Sequence, residues 1–145
     1  MRAVIQRATE ATVHVDDQCI ARIGPGLVIL LGVAKGDGEM DVRRMVDRLL
    51  TLRIFADDQG KMNRSLTDSE GDALIVSQFT LLGDTTKGRR PGFDQAAPPE
   101  LAEVLYGRVV KEMKHHGIHV QTGSFGAHMR VMLCNDGPVT FIVDT

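Results

Sequence analysis

The sequence has no surplus of positive charge. Its 145 residues carry 17 Lys and Arg against 19 Asp and Glu, a formal net charge of −2. A generally basic nucleic-acid binder is therefore not expected, no DNA partner is expected, and any RNA contact has to come from local basic clusters. Cysteine is scarce too. Cys19 and Cys134 are too few for a disulfide framework, and no secretory pattern precedes them. No apolar run approaches the roughly 20 residues of a membrane span. Together these absences predict a soluble, reduced, cytoplasmic protein with no membrane partner. There is no Gly-x-Ser-x-Gly elbow and no Walker loop. Trp is absent and Tyr occurs once, but 43% of the residues are hydrophobic, enough for a real core. No repeat, low-complexity tract or linker interrupts the chain, and its length suits one domain over residues 1–145.

Hydrophobic patterning predicts mostly strands. One begins at Ala3-Val4-Ile5 and reaches Arg7, and a second, Ala11 to Val15, alternates apolar and polar residues. Asp16-Asp17-Gln18 turns the chain, Cys19 to Ile23 returns, and Gly24-Pro25-Gly26 breaks it again. Leu27 to Val33 is apolar on both faces and reads as a central, doubly covered strand. Met45, Val46, Leu49 and Leu50 recur at helical spacing, predicting a helix over residues 39–51. Further strands are expected at 52–55, 73–79, 118–122 and 129–134. A second helix starts at Pro98-Pro99-Glu100, with Leu101, Val104, Leu105, Val109 and Met113 as its apolar stripe and Gly117 as its end. The fold class expected is α/β: a compact domain with largely antiparallel sheets and two helices covering sheet faces.

Near the C-terminal end, Asn135-Asp136-Gly137-Pro138 separates the apolar runs 131–134 and 139–143. Asp-Gly between strand-like runs is a hairpin signal, because Gly accepts positive φ. Pro138 lacks an N–H and belongs at a strand start, an edge or a bulge. A Gly-Pro bond can be cis, although most X-Pro bonds are trans, so the residues alone favour a plain turn. Ser77 and Thr80 carry hydroxyls at the end of a buried strand, where they serve either as satisfied core groups or as the lining of a pocket. Neither has a His beside it in sequence, so a Ser–His nucleophile is unsupported. Lys87, Arg89 and Arg90 are either a solvated loop or a phosphate contact. His115, His116 and His119 are interrupted by Gly117, which argues for a solvated helix end rather than a metal site. Cys19 and Cys134 read as small buried apolar residues.

Two of these stretches, Ser77-Gln78-Phe79-Thr80-Leu81 and Asn135-Asp136-Gly137-Pro138-Val139-Thr140, resemble the paired motifs of the bacterial and eukaryotic D-aminoacyl-tRNA deacylases. The likeness extends through Lys87 to Pro91, Gly123 to Met129 and the opening Met1 to Arg7, and so spans nearly the whole chain. It implies a homodimer, with the active site at the subunit interface, that hydrolyses the ester between a D-amino acid and the 3′-terminal adenosine of tRNA. It implies no metal and no cofactor. It implies a cis Gly137-Pro138 peptide that enters the partner's site, its carbonyls facing the α-amino group, with Arg7 supporting that motif. Ser77, Gln78, Phe79 and Thr80 would form the catalytic pocket around the ester carbonyl. Lys87, Arg89 and Arg90 would be candidate phosphate contacts. A related subfamily carries Pro-Gln-Ala-Thr where this chain has Ser77 to Thr80, so the resemblance is to the D-specific branch. A binding module without catalysis, or a general esterase, remains the competing reading of the same residues.

Overall fold

The computed structural model describes residues 1–86 and 88–145; Lys87 lies outside them. Strand β1 runs unbroken from Arg2 to Val15, where the sequence suggested two strands. The two halves nevertheless bury different faces. Ala3 and Ile5 face one hydrophobic cluster, whereas Ala8, Ala11 and Val13 face another. Pairing with the last strand, β8 (Arg130–Asp144), shifts register on both sides of Ala8. A bulge of this kind turns side chains of the same parity to the opposite face without ending the strand.

Asp16 and Asp17, both at positive φ, close a two-residue hairpin into β2 (Gln18–Ile23). Such a loop demands left-handed residues, and Asp tolerates that region better than most. β3 (Gly26–Gly32) continues along the same edge of β1, since the Ala11–Ile23 and Ala8–Gly26 pairs keep one register across Gly24-Pro25. α1 (Glu39–Thr51) follows, with Glu39 and Asp41 in its first turn, where the helix dipole favours them. The strand expected at 52–55 is reduced to β4 (Phe55–Ala56), which pairs with β5 (Met62–Arg64). Leu52 caps α1 instead, and Ile54 is buried.

β6 (Asp72–Ser77) stops two residues earlier than the apolar run suggested, and Phe79–Leu82 forms a single 3-10 turn. α2 (Pro99–His115) buries Leu105, Tyr106, Val109 and Met113. Leu101 and Val104, expected in that stripe, are exposed, because the buried side is rotated toward Tyr106. Gly117, at φ +84, terminates the helix as expected. β7 (Val120–Thr122) completes the parallel set.

The main sheet is mixed. β1 pairs antiparallel with β2, β3 and β8, while β3, β6 and β7 run parallel. Alternate residues of β3 and β6 point to opposite sides. Ile29, Leu31 and Ile75 meet both helices, whereas Val28, Leu74 and Val76 meet Val13, Ile23 and Leu133. Both helices therefore cover one face, and the curling sheet covers the other. No helix among the described residues is long and apolar enough to cross a membrane.

The β3–β6 pairing depends on a missing side chain. A Cβ on Gly26 would lie 2.0 Å from the carbonyl oxygen of Asp72. Gly26→Ala is expected to lower unfolding free energy by about 1–3 kcal/mol, as overpacking does. Urea denaturation followed by circular dichroism measures it, and an unchanged midpoint would contradict this close approach.

Candidate active site

The parallel strands β3, β6 and β7 end at one edge of the sheet, the edge where the open α/β sheets usually bind ligands. Their exits build a cleft of about 700 Å³. Val33 and Lys35 come from beyond β3, and Val76 to Phe79 from the end of β6. Phe125 to Met129 follow β7, and the start of α2, with Phe93 and Ala96 to Pro98 before it, closes the far side. The sequence identified Ser77, Gln78 and Phe79. It missed Lys35, Phe93, Phe125, His128 and Met129 as lining residues, because strand order alone brings those loops together.

The floor is held by hydrogen bonds. The Gln78 N–H donates to the Leu31 carbonyl at 2.8 Å. The Ile75 carbonyl accepts from the Gly123 N–H at 3.1 Å and from the Tyr106 hydroxyl at 2.8 Å. Burial pushes the Tyr106 hydroxyl up to about 12, so it stays a neutral donor. Phe79 is half exposed and meets Phe93 edge to face, with ring centroids 5.0 Å apart. The Phe79 and Thr80 N–H groups find no acceptor among the described residues. Thr80 does not line the cleft. Its hydroxyl accepts from the Gln78 side-chain nitrogen at 2.5 Å.

Gly137 and Pro138 are not in a hairpin. Both flanks of the motif pair antiparallel with the same β1, so the chain does not reverse. From Cys134 to Thr140 β8 advances six positions while β1 advances four, from Glu10 to Gln6, and the surplus is extruded as a bulge. The Gly137-Pro138 peptide is cis, not the plain turn bond that the residues alone favoured. Asn135 closes the bulge: its Oδ1 accepts the Val139 N–H at 2.8 Å, and its Nδ2 donates to the Thr140 hydroxyl at 3.0 Å. Gly137 sits at φ +128, and a Cβ there would meet Val139 Cγ2 at 2.6 Å, so only glycine fits.

Arg7 braces the bulge from below. Its largely buried guanidinium donates to the Ile54 carbonyl at 2.6 Å, and Nε lies 2.9 Å from the Asp136 carboxylate. That Nε has no aligned acceptor, so the Asp136 contact is an ion pair rather than a well-directed hydrogen bond. The bulge does not line the cleft of its own chain. It lies level with Arg7 and Leu27, whereas Ser77 lies level with Leu31 and Ala3. The offset is about 13 Å along the strands and three strand spacings, about 14 Å, across them.

Arg89 and Arg90 are exposed and off the lining, on a loop closed by the Asp84–Gly92 backbone pair. Lys87, the third residue of that expected cluster, lies outside the described residues. His119 bonds Asp72 at 3.0 Å, and among the described residues no group of His, Cys, Asp and Glu is arranged to hold a metal. Cys19 and Cys134 are exposed, not buried as expected, because they lie on outward positions of β2 and the edge strand β8.

The profile of the D-Tyr-tRNA(Tyr) deacylase family matches residues 4–144. The chain belongs to this family. Proteins named D-aminoacyl-tRNA deacylase are similar throughout. The one from Desulfitobacterium hafniense (strain DSM 10664 / DCB-2) is 52% identical, covering 100% of this chain and 97% of the relative. The one from Xanthomonas oryzae pv. oryzae (strain MAFF 311018) is 57% identical, covering 99% of each. A solved structure titled c-Myc DNA Unwinding Element Binding Protein superposes with a TM-score of 0.95 at 38% identity, over 100% of this chain and 99% of that one. A structure titled as a probable eukaryotic D-amino acid tRNA deacylase shares the fold, with a TM-score of 0.84 at 23% identity, over 99% of this chain and 98% of that one. Membership makes this deacylase-family chain a hydrolase.

The Asn135 contacts give a local test. Asn135→Ala leaves the Val139 N–H without its acceptor, a loss of about 1 kcal/mol for a typical hydrogen bond. The Val139 amide is expected to exchange with solvent several-fold faster, read by NMR hydrogen exchange. Unchanged protection would mean that Asn135 does not close the bulge.

Proposed function

We propose that the chain hydrolyses the ester of D-aminoacyl-tRNA, releasing free D-amino acid and tRNA, and that it works as a homodimer with its sites at the subunit interface. Family membership over residues 4–144 carries the reaction class. The dimer reading rests on the bulge. Gly137 and Pro138 are exposed and remote from the cleft of their own chain, so a site using both requires a second copy. Among the described residues no strand pairs with the outer edge of β8, which exposes Met132, Phe141 and Ile142, an edge that isolated proteins usually cover.

In this reading water attacks the ester carbonyl, the tetrahedral oxyanion collapses, and the ribose hydroxyl leaves with a proton. The unpartnered N–H of Phe79, which lines the cleft, is the candidate oxyanion donor, and a donor of this type contributes about 2.7–4 kcal/mol in other enzymes. Ser77 and Gln78 shape the wall beside it. Thr80 is a poor nucleophile here: its hydroxyl is engaged by Gln78, and it stands off the cleft lining. The vicinal 2′-hydroxyl of the RNA assists the attack instead. Thr80→Ala is therefore expected to keep substantial activity, while a 2′-deoxy substrate reacts far more slowly in single-turnover assays. An acyl-enzyme trapped on Thr80 would reverse that assignment.

Stereoselection follows from two fixed points. The carbonyls of the partner subunit's Gly137 and the partner subunit's Pro138 hold the α-amino group, and the Phe79 region holds the ester carbonyl. A D side chain then points to the open side, and an L side chain meets the Gly-Pro wall. Exclusion by a clash discriminates more sharply than a lost methylene contact, worth about 1–3 kcal/mol. Glycine has no side chain to exclude, so Gly-tRNA is expected to be hydrolysed together with D-Tyr-tRNA, and L-Tyr-tRNA to be spared. Amino-acid release from the three substrates under one condition decides it. Rejection of glycine as complete as that of L-tyrosine would show that the side chain is recognised positively.

A further inference from the structure

Acidic residues outnumber basic ones in this chain, yet among the described residues the cleft lining holds no carboxylate. Among the described residues, its two side chains able to carry positive charge are Lys35 and His128. Lys35 follows β3, and His128 lies between β7 and β8. Because β3 and β7 flank β6, these two bracket Ser77-Gln78-Phe79 from opposite sides. Both are exposed, and neither makes an ion pair among the described residues. The backbone holds Lys35 in place. Its N–H donates to the Gln95 carbonyl at 2.8 Å, and the Ala34 N–H before it donates to the Asp37 carboxylate at 2.6 Å. Arg89 and Arg90, the basic residues that sequence brought forward, do not reach the lining.

We propose that Lys35 and His128 hold the phosphodiester joining the substrate's terminal nucleoside to the rest of the RNA. This rests on the aminoacyl-tRNA reading above and adds to it the group that anchors the RNA. The phosphodiester lies one nucleoside away from the reacting ester. A cleft that places the ester at Phe79 therefore brings the phosphate toward the rim where these residues stand. An ammonium is a compact point charge suited to a phosphate oxygen, and the imidazole adds a second donor. A lining without carboxylates leaves that anion unopposed.

The test compares D-tyrosyl-tRNA with 3′-O-(D-tyrosyl)adenosine, which has the same ester and no phosphate. Wild type, Lys35→Met, Lys35→Arg and His128→Ala are each assayed for kcat/KM on both. The tRNA-to-adenosine ratio is expected to fall about tenfold in Lys35→Met, to fall several-fold in His128→Ala, and to stay near wild type in Lys35→Arg. The salt dependence of kcat/KM on tRNA should become shallower by about 0.7 in log–log slope for Lys35→Met, the loss of one contact to single-stranded RNA. Equal losses on both substrates would place these residues at the ester and overturn the proposal, as would an unchanged ratio. Wild-type protein that releases tyrosine from neither substrate would overturn the deacylase reading itself, and this assignment with it.

Discussion

The backbone groups of β1 are engaged on both edges, by β2 and β3 on one and by β8 on the other. Much else is forced by that double pairing. A buried strand cannot leave its N–H and C=O groups unmet, so β8 must stay in register on both sides of any irregularity. Its extra residues can only be pushed out of the sheet, and they emerge as Asp136-Gly137-Pro138. A proline fits there because the extruded segment needs no ladder donor. Asn135 supplies from its side chain the acceptor that the interrupted ladder no longer offers to Val139. Arg7, on β1 beneath the bulge, joins it to Ile54 beyond α1.

The other half of the sheet is built on a different rule. β3, β6 and β7 run parallel, so their C-terminal ends open on one side and their loops gather there. Parallel strands buried on both faces leave their alternate side chains no freedom to turn outward, and the hydroxyl and amide chemistry is confined to the point where β6 ends at Ser77. The two halves meet through β3, whose Gly26 and Gly32 let the backbone of the next segment approach closely; a Cβ on Gly32 would lie 2.9 Å from the Gln78 carbonyl oxygen. The cleft is therefore positioned by main-chain contacts more than by its own side chains. The extruded Gly-Pro segment is held by Asn135 and Arg7 and stands apart from the cleft of its own chain.

Helix positions were legible in the sequence because a stripe of apolar residues at 3.6 spacing has few other readings; α1 was read at 39–51 and observed at Glu39–Thr51. The stripe of α2 was misassigned at Leu101 and Val104, since an apolar residue on a helix does not state which side the sheet lies on. Strand ends were less legible. Apolar run length placed the end of β6 at Phe79, but the ladder stops at Ser77, where its partner β3 ends. The same limit hid the continuity of β1, since a bulge and a break produce the same lapse in alternation.

The sequence by itself determined the apolar segments, the two helices, the turn at Asp16-Asp17 and the residues that carry the family likeness, because propensity, periodicity and motif are local properties. Tertiary structure alone decided that Asn135 to Val139 is an extruded bulge and not a hairpin, since that depends on both flanks sharing one partner strand. It alone placed Lys35, Phe93, Phe125 and His128 around the end of β6. Those residues are distant along the chain, and only the order of the parallel strands, which no local pattern encodes, brings their loops to one edge.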